Sequence, residues 1–308
     1  MSLDFKVILG TRGSKLALAQ AGHVTGRLQV TGLDVETQVI RTTSDHLPET
    51  PLSVIDRRDV FTRQLDEALL SGEVDLAVHS LKDVPTKLPE GIEIVAFTER
   101  HDPLDVLVSE ERYDVDGLPE RATVATSSLR RRAQLLGRRP DLEIVEIRGN
   151  VDTRVRKLRA GGADALVLAR AGLERLGLEA PHTVVPPEVM LPAVGQGALA
   201  VAVREDSPLR EGVRKALNHS PTELAVRAER AMLRTLEGGC RVPVGALGVA
   251  EDAEIRLRGI VASPDGALAY RGEATGSSPE EVGERLAREL LDQGAEIVLG
   301  EIREVRNS

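Results

Sequence analysis

The chain has 308 residues, enough for two or three domains with proper cores, and is 41% hydrophobic with only 2% aromatic residues and no Trp. Forty Lys+Arg against 49 Asp+Glu give a net charge of -9, so the surface as a whole will not attract nucleic acid and any basic function must be local. The single cysteine excludes an intrachain disulfide and a multi-cysteine metal site, and the six histidines show no metal-ligand spacing.

The first residues lack a signal-peptide pattern and no apolar run approaches membrane length, so a soluble cytoplasmic protein is expected. Residues 5–9 read as a buried strand running into Gly10-Thr11-Arg12-Gly13-Ser14. Leu16, Ala17, Ala21, Val24 and Leu28 then recur at helical spacing, with Ser14 as N-cap. Arg12 and a hydroxyl beside free helix amides make a ready anion site. Residues 35–41 alternate like a strand, and 42–59 read as a long loop of the kind that is usually functional or disordered. Phe61, Leu65, Ala68 and Leu69 mark a helix.

That helix leads to the most telling stretch. Leu76-Ala77-Val78 is an apolar run suited to a parallel sheet, and His79, Ser80, Lys82 and Asp83 follow before Pro85 stops the strand. Ligands in open α/β sheets bind outside the carboxyl ends of strands, so Lys82 beside Asp83 is placed for chemistry. The plainer alternative is a Lys82–Asp83 ion pair that merely ends the strand.

Residues 92–97 form a further strand, and Arg100-His101-Asp102-Pro103 a polar break that suits an interdomain crossing. The second half repeats the grammar of the first: strand 122–126, then Thr126-Ser127-Ser128-Leu129-Arg130-Arg131-Arg132 opening a helix. Strand 143–147 ends in Arg148-Gly149-Asn150, and the next helix carries Arg154 near its start. Strand 165–169 leads to a short helix ending at Leu176. Leu191-Pro192-Ala193-Val194-Gly195-Gln196-Gly197 suits the return crossing, into strand 198–203 and a helix near 208–218. A helix at 222–236, a loop holding Cys240, three alternating segments (243–249, 254–262, 268–274) and a helix at 279–292 suggest a small α+β domain.

Any one of Arg12, Arg130, Arg131, Arg132, Arg148 and Arg154 could be an ordinary surface residue. Several converging at equivalent places in two half-domains point to a polyanion, since guanidinium forks match carboxylates and phosphates. Neither a P-loop lysine motif nor Gly-x-Gly-x-x-Gly is present, which weakens a phosphate reading. The scarcity of aromatic stacking residues disfavours single-stranded nucleic acid at Arg130–Arg132 with Arg138 and Arg139. Cys240, after Gly238-Gly239 and beside Arg241, reads either as a buried thiol or as a thiolate nucleophile favoured by the cation.

Five stretches together resemble the porphobilinogen deaminase (hydroxymethylbilane synthase) family: His79–Pro85, Ala125–Arg131, Arg148-Gly149-Asn150, Leu191–Gly197 and Glu237–Cys240. Thr11-Arg12-Gly13-Ser14 fits the family's opening motif, and the resemblance runs in order from about residue 5 to 302. It implies an α/β fold of three domains: 1–98 with 198–217, 102–193, and 220–308. The first two would resemble type II periplasmic binding proteins around a cleft, and the small third, α+β, would carry the cysteine.

The resemblance further implies a cytoplasmic monomer of tetrapyrrole and haem biosynthesis. Four porphobilinogen molecules would condense head to tail, with loss of ammonia, into hydroxymethylbilane. The growing polypyrrole chain would be built on a dipyrromethane cofactor joined to Cys240, and the product handed to uroporphyrinogen III synthase. Asp83 would stabilise the cationic azafulvene left when ammonia departs, and would help move protons. Lys82, Ser80, Thr126, Ser127, Ser128, Arg130 and Arg131 would hold the cofactor. Arg12, Ser14, Arg148, Arg154 and Gln196 would take the substrate and the growing chain. No metal, nucleic-acid or membrane partner is implied.

One departure stands out. Where the family commonly has Gly-Gly-Lys-Gly-Leu-Phe, this chain has Asp56-Arg57-Arg58-Asp59-Val60-Phe61, with Arg58 on the lysine. The competing class is a non-catalytic two-lobed anion-binding protein, which would keep the arginines without needing both Asp83 and Cys240.

Overall fold

The computed structural model describes residues 6–41, 62–236, 243–252 and 254–307. It divides into two compact units, Met1–His101 with Ala198–Glu223 and Asp102–Gly197 with Leu224–Ser308.

The first unit is built on a five-stranded sheet, in order β2-β1-β3-β10-β4. Its strands are β1 (Val7–Thr11), β2 (Val35–Val39), β3 (Leu76–Ser80), β4 (Ile92–Phe97) and β10 (Leu199–Arg204). Strands β1, β2 and β3 run parallel, while β10 lies antiparallel to β3 and β4. Helix α1 (Lys15–Gln29) covers one face, where Ala21, Val24 and Leu28 pack with Val7, Leu9, Leu76 and Val78. Helix α2 (Arg63–Ser71) covers the other, with Leu65, Ala68 and Leu69 against Ala77, Ile92 and Ala202. Gly10 fits that second interface because a Cβ there would stand 3.1 Å from both Leu65 and Val74. Both layers rely on Leu, Val, Ile and Ala, as the aromatic-poor composition requires.

The second unit holds a sheet of the same pattern, in order β7-β6-β8-β5-β9. Its strands are β5 (Asp105–Val108), β6 (Thr123–Ala125), β7 (Glu143–Val145), β8 (Ala165–Ala169) and β9 (His182–Val185). Again three strands are parallel and the fourth in order, here β5, is antiparallel to both neighbours. Helices α3 (Leu129–Arg138), α4 (Val151–Lys157) and α5 (Arg170–Leu176) follow β6, β7 and β8 in turn. In the first unit, α6 (Arg210–Leu217) follows β10.

The remainder of the second unit is a three-stranded antiparallel sheet, β11 (Val244–Glu251), β12 (Glu254–Ala262) and β13 (Ala269–Gly276), with α7 (Ser220–Thr235) from Leu224 onward and helices α8 (Pro279–Leu290) and α9 (Glu296–Asn307). Helices α7 and α8 meet at Gly283, where a Cβ would fall 2.3 Å from the Ala228 carbonyl oxygen, so any side chain would force them apart. The expected second and third domains share one unit because the 191–197 turn packs on this sheet. The Ala246 N–H donates to the Pro192 carbonyl at 2.9 Å, and Leu191 shares a buried cluster with Ala133, Ile260 and Ala262. Each part keeps its own sheet and its own core.

The α/β class follows the sequence, and most elements fall where periodicity placed them. Strands β5 and β9 and helix α9 are additions. Strand β3 also runs two residues beyond its apolar run, so His79 and Ser80 are strand residues. Antiparallel pairing with Ala200 and Leu199 of β10 extends it, and a segment that distant leaves no local signature.

Candidate functional site

In the first unit the polar residues gather at the carboxyl ends of β1 and β3. The two strands pair Leu9 with Leu76 and Gly10 with Ala77, and continuing that register brings Arg12 beside His79. Strand alternation puts His79 on the face covered by α2, since Ala77 packs there, and Arg12, one residue past β1, is near enough to act on it electrostatically. Burial, reinforced by the nearby Arg12 charge, lowers the His79 pKa to about 4. The imidazole is therefore neutral at physiological pH.

On the other face the Gln20 side-chain amide donates to Ser80 Oγ at 2.8 Å. Ser14 caps α1 as expected, its Oγ accepting from the Ala17 N–H at 3.2 Å. Ser14 Oγ still carries a proton to donate, whereas Ser80 Oγ donates back to Gln20 Oε1 at 3.2 Å.

Lys82 and Asp83 stand on one turn of 3-10 helix, Leu81–Asp83. The turn is anchored at both ends. Leu81 is buried and its N–H donates to the Ala198 carbonyl at 3.0 Å, while buried Val84 donates back to Leu81. Lys82 and Asp83 are left half-buried between these anchors. Among the described residues no ion pair joins Lys82 to Asp83, and the Asp83 carboxylate has no hydrogen bond. The strand-end ion pair is therefore not what the turn is built for.

In the second unit three hydroxyls shape the turn after β6. Thr126 Oγ1 accepts from the Ser128 N–H at 3.2 Å, and Ser127 Oγ donates to the Ile147 carbonyl at 2.6 Å. Ser128 caps α3, accepting from the Arg131 N–H at 3.5 Å.

Arg130 and Arg131 do not project freely. Both are 6% exposed and converge on Asp105, which is fully buried at the start of β5. Arg130 Nη1 lies 2.7 Å from Asp105 Oδ2, and Arg131 Nη2 2.8 Å from Oδ1. Arg130 also donates to the Leu191 carbonyl, and Arg131 to that of Val167. Burial pushes the Asp105 carboxyl upward, but the two guanidiniums outweigh it and hold the group well below the usual carboxylate range. Burial lowers the Arg130 pKa, with Asp105 opposing and Arg131 adding to the effect. Two cations on one carboxylate leave a surplus positive charge.

Gln196, expected at the substrate, is 1% exposed and donates its amide to Asp105 Oδ1 at 3.0 Å and to the Pro103 carbonyl at 2.7 Å. As placed, it steadies Asp105. Glu229 of α7 steadies the same turn from the other side, its carboxylate accepting from the N–H groups of Gly195 (2.7 Å) and Gly248 (2.8 Å). Sequence reasoning found neither Asp105 nor Glu229.

Arg148 and Arg154 flank the turn into α4. Arg148 approaches Glu146 at 3.5 Å, and Arg154 Nε donates to the Gly149 carbonyl at 2.8 Å. Arg148 and Lys157 line a cavity of about 450 Å³ with Ala125, Glu146, Ile147 and Gly161. That volume is within the range of small-molecule sites, roughly 300–1,000 Å³. Lys157 was not singled out from the sequence, and its Nζ donates to the Arg148 carbonyl at 3.1 Å.

The donor set thus suits an anionic group rich in carboxylates: hydroxyls, a doubly cationic clasp with one counter-charge, and a cavity edged by Arg148 and Lys157. Cys240 with Gly238, Gly239 and Arg241, and the 42–59 loop with Arg58, lie outside the described residues. Among the described residues no helix is long and apolar enough to cross a membrane.

Residues 7–211 match the family described as porphobilinogen deaminase, dipyromethane cofactor binding domain, and residues 223–292 match the porphobilinogen deaminase C-terminal domain. A porphobilinogen deaminase of Rubrobacter xylanophilus is 65% identical over 301 residues, covering 98% of this chain and 99% of the relative. Porphobilinogen deaminases of Desulforudis audaxviator (48% identical) and Syntrophomonas wolfei (46%) cover 97% and 96% of the chain, and 98% of each relative.

Proposed function

The chain belongs to the porphobilinogen deaminase family, and from that premise we propose that Asp83 acts on the reacting atoms while hydroxyl and cationic side chains of each unit hold carboxylates. The activity is the transferase reaction of the family, joining porphobilinogen units head to tail with release of ammonia, on a dipyrromethane primer. The observation that carries the role of Asp83 is the Leu81–Asp83 turn: buried anchors on either side present a carboxylate with no partner among the described residues.

Loss of ammonia from the aminomethyl group of porphobilinogen leaves a cation on the pyrrole. Asp83 is the group that meets it, accepting the pyrrole N–H and stabilising the charge as it develops. Lys82 and Ser80, on the same strand end, and Thr126, Ser127 and Ser128 hold the primer's carboxylates. Arg130 and Arg131 contribute the surplus charge of their clasp on Asp105. Bound through Cys240, the dipyrromethane supplies a tethered nucleophilic pyrrole end, so the reacting groups meet at high effective concentration. Arg12, Ser14, Arg148 and Arg154 take the carboxylates of incoming substrate and growing chain. Gln196 acts through Asp105. The protein works as a cytoplasmic monomer that releases its product to uroporphyrinogen III synthase.

The test is an intact mass of the purified protein, followed by ammonia release on adding porphobilinogen. The expected result is a covalent adduct of two pyrrole units, mapping to the peptide that contains Cys240. Unmodified protein that stays unmodified with porphobilinogen and releases no ammonia would favour the non-catalytic anion-binding reading instead.

Arg148 offers a finer check. A charge-assisted hydrogen bond contributes about 1.5–3 kcal/mol. Arg148→Leu should therefore keep its primer adduct and lose about tenfold to hundredfold in turnover at limiting porphobilinogen. Wild-type turnover there would remove Arg148 from the substrate path.

A further inference from the structure

We propose that His79 is a second ligand for the substrate carboxylate taken by Arg12, its imidazole donating an N–H bond beside the guanidinium. The inference deepens the proposed function and rests on it.

The ring is 7% exposed, yet neither nitrogen hydrogen-bonds to any other residue among those described. Neither nitrogen is fully sealed from solvent either, so the small exposed remainder of the ring includes its polar atoms. No protein group among the described residues occupies these nitrogens, so the N–H is open to a ligand that reaches this strand end. Its position is equally particular. His79 is the last strand position on the α2 face before the turn that carries Asp83, and Arg12, just past the end of the neighbouring parallel strand, is close enough for its charge to act on the ring.

Charge explains why a histidine suits the place. A lysine or a second arginine beside Arg12 would add repulsion between like charges. Burial and Arg12 keep the His79 imidazole neutral, with a pKa near 4. It can therefore contribute a directional donor without that repulsion. A carboxylate can accept from both groups at once, one oxygen to each. Porphobilinogen bears an acetate and a propionate, so a site pairing one cation with one neutral donor can fix which carboxylate sits beside the reacting carbon.

The test uses the primed enzyme with porphobilinogen as probe. His79→Leu is expected to raise KM about tenfold while kcat stays within about twofold, the pattern of lost binding that is equal in ground and transition states. His79→Gln, which restores an N–H donor, should recover most of the loss. In an Arg12→Leu background the same His79→Leu change should cost clearly less than tenfold, because both groups serve one carboxylate.

A second readout does not depend on turnover. The His79 ring resonance, assigned by its absence from His79→Gln, should shift when porphobilinogen is titrated into the slow Asp83→Asn protein. This keeps the proposal testable if the fold does not accept leucine at 79. An unchanged KM in the folded variant, or a ring signal that does not move while other resonances report binding, overturns the role of His79. Absence of ammonia release from the wild type would instead overturn the reading beneath it.

Discussion

Replacing Asp105 by asparagine is expected to destabilise the protein by about 3–5 kcal/mol, the cost of removing one partner from a buried charge pair. The size of the effect follows from what the substitution leaves behind. Asp105 is fully buried and accepts from Arg130, Arg131 and Gln196 through two oxygens. Asparagine keeps one acceptor and turns a donor toward the remaining donors, so two buried guanidiniums would lose their shared counter-charge. Arg130→Met should cost less, since Arg131 still holds Asp105 through both Nε and Nη2. The opposite ranking would show that the clasp does not depend on the shared carboxylate.

The pH dependence has a definite sign. Asp105 has a folded-state pKa below its unfolded value, so its stabilisation is fully present above the ordinary aspartate pKa of about 3.9 and is lost as pH falls through the folded value. The gap between wild type and Asp105→Asn, from denaturant unfolding, should be equal at pH 7 and pH 5 and should shrink below about pH 4. A gap that widened in acid would rule out the carboxylate as its source.

Asp105 also marks where sequence reading ended. Its three partners lie 25, 26 and 91 residues away, and β5 is a four-residue strand that sequence reading passed over just after the polar break at 100–103. Arg130 and Arg131 were visible as a pair at a helix start, but a guanidinium reads the same whether it meets a ligand or a buried aspartate. Glu229 was hidden for a related reason: on α7 it is one polar residue in an amphipathic helix, and its partners are backbone N–H groups. The Leu76–Asp83 stretch was legible because an apolar run, an abrupt polar change and Pro85 lie within ten residues. The Ser14 cap was legible too, since a cap acts on the residues that follow it. Local grammar carried the elements, and packing between distant segments decided which charges are spent inside the fold.

The contrast sharpens what Asp83 should do. Asp105 is surrounded by donors, whereas the Asp83 carboxylate has no hydrogen bond or ion pair among the described residues and sits half-buried on its anchored turn. Asp83→Asn therefore breaks no ion pair, and its stability should stay within about 0.5 kcal/mol of wild type, as for substitutions away from buried networks. The neighbouring Leu81 and Val84 hold the turn through backbone bonds that asparagine leaves intact. Turnover should respond very differently. The cation left by departing ammonia exists only along the reaction path, so a carboxylate aimed at it stabilises the transition state more than the ground state. Removing one such preorganised group typically costs ~100-fold or more in rate. Asp83→Asn is thus expected to melt with the wild type and to lose roughly two orders of magnitude or more in turnover. Melting temperature, intact mass and single-turnover ammonia release, measured on one preparation, separate the cases. A variant that carries its primer, melts normally and releases ammonia at nearly the wild-type rate would remove Asp83 from the mechanism. One that melts many degrees lower would return Asp83 to a structural role.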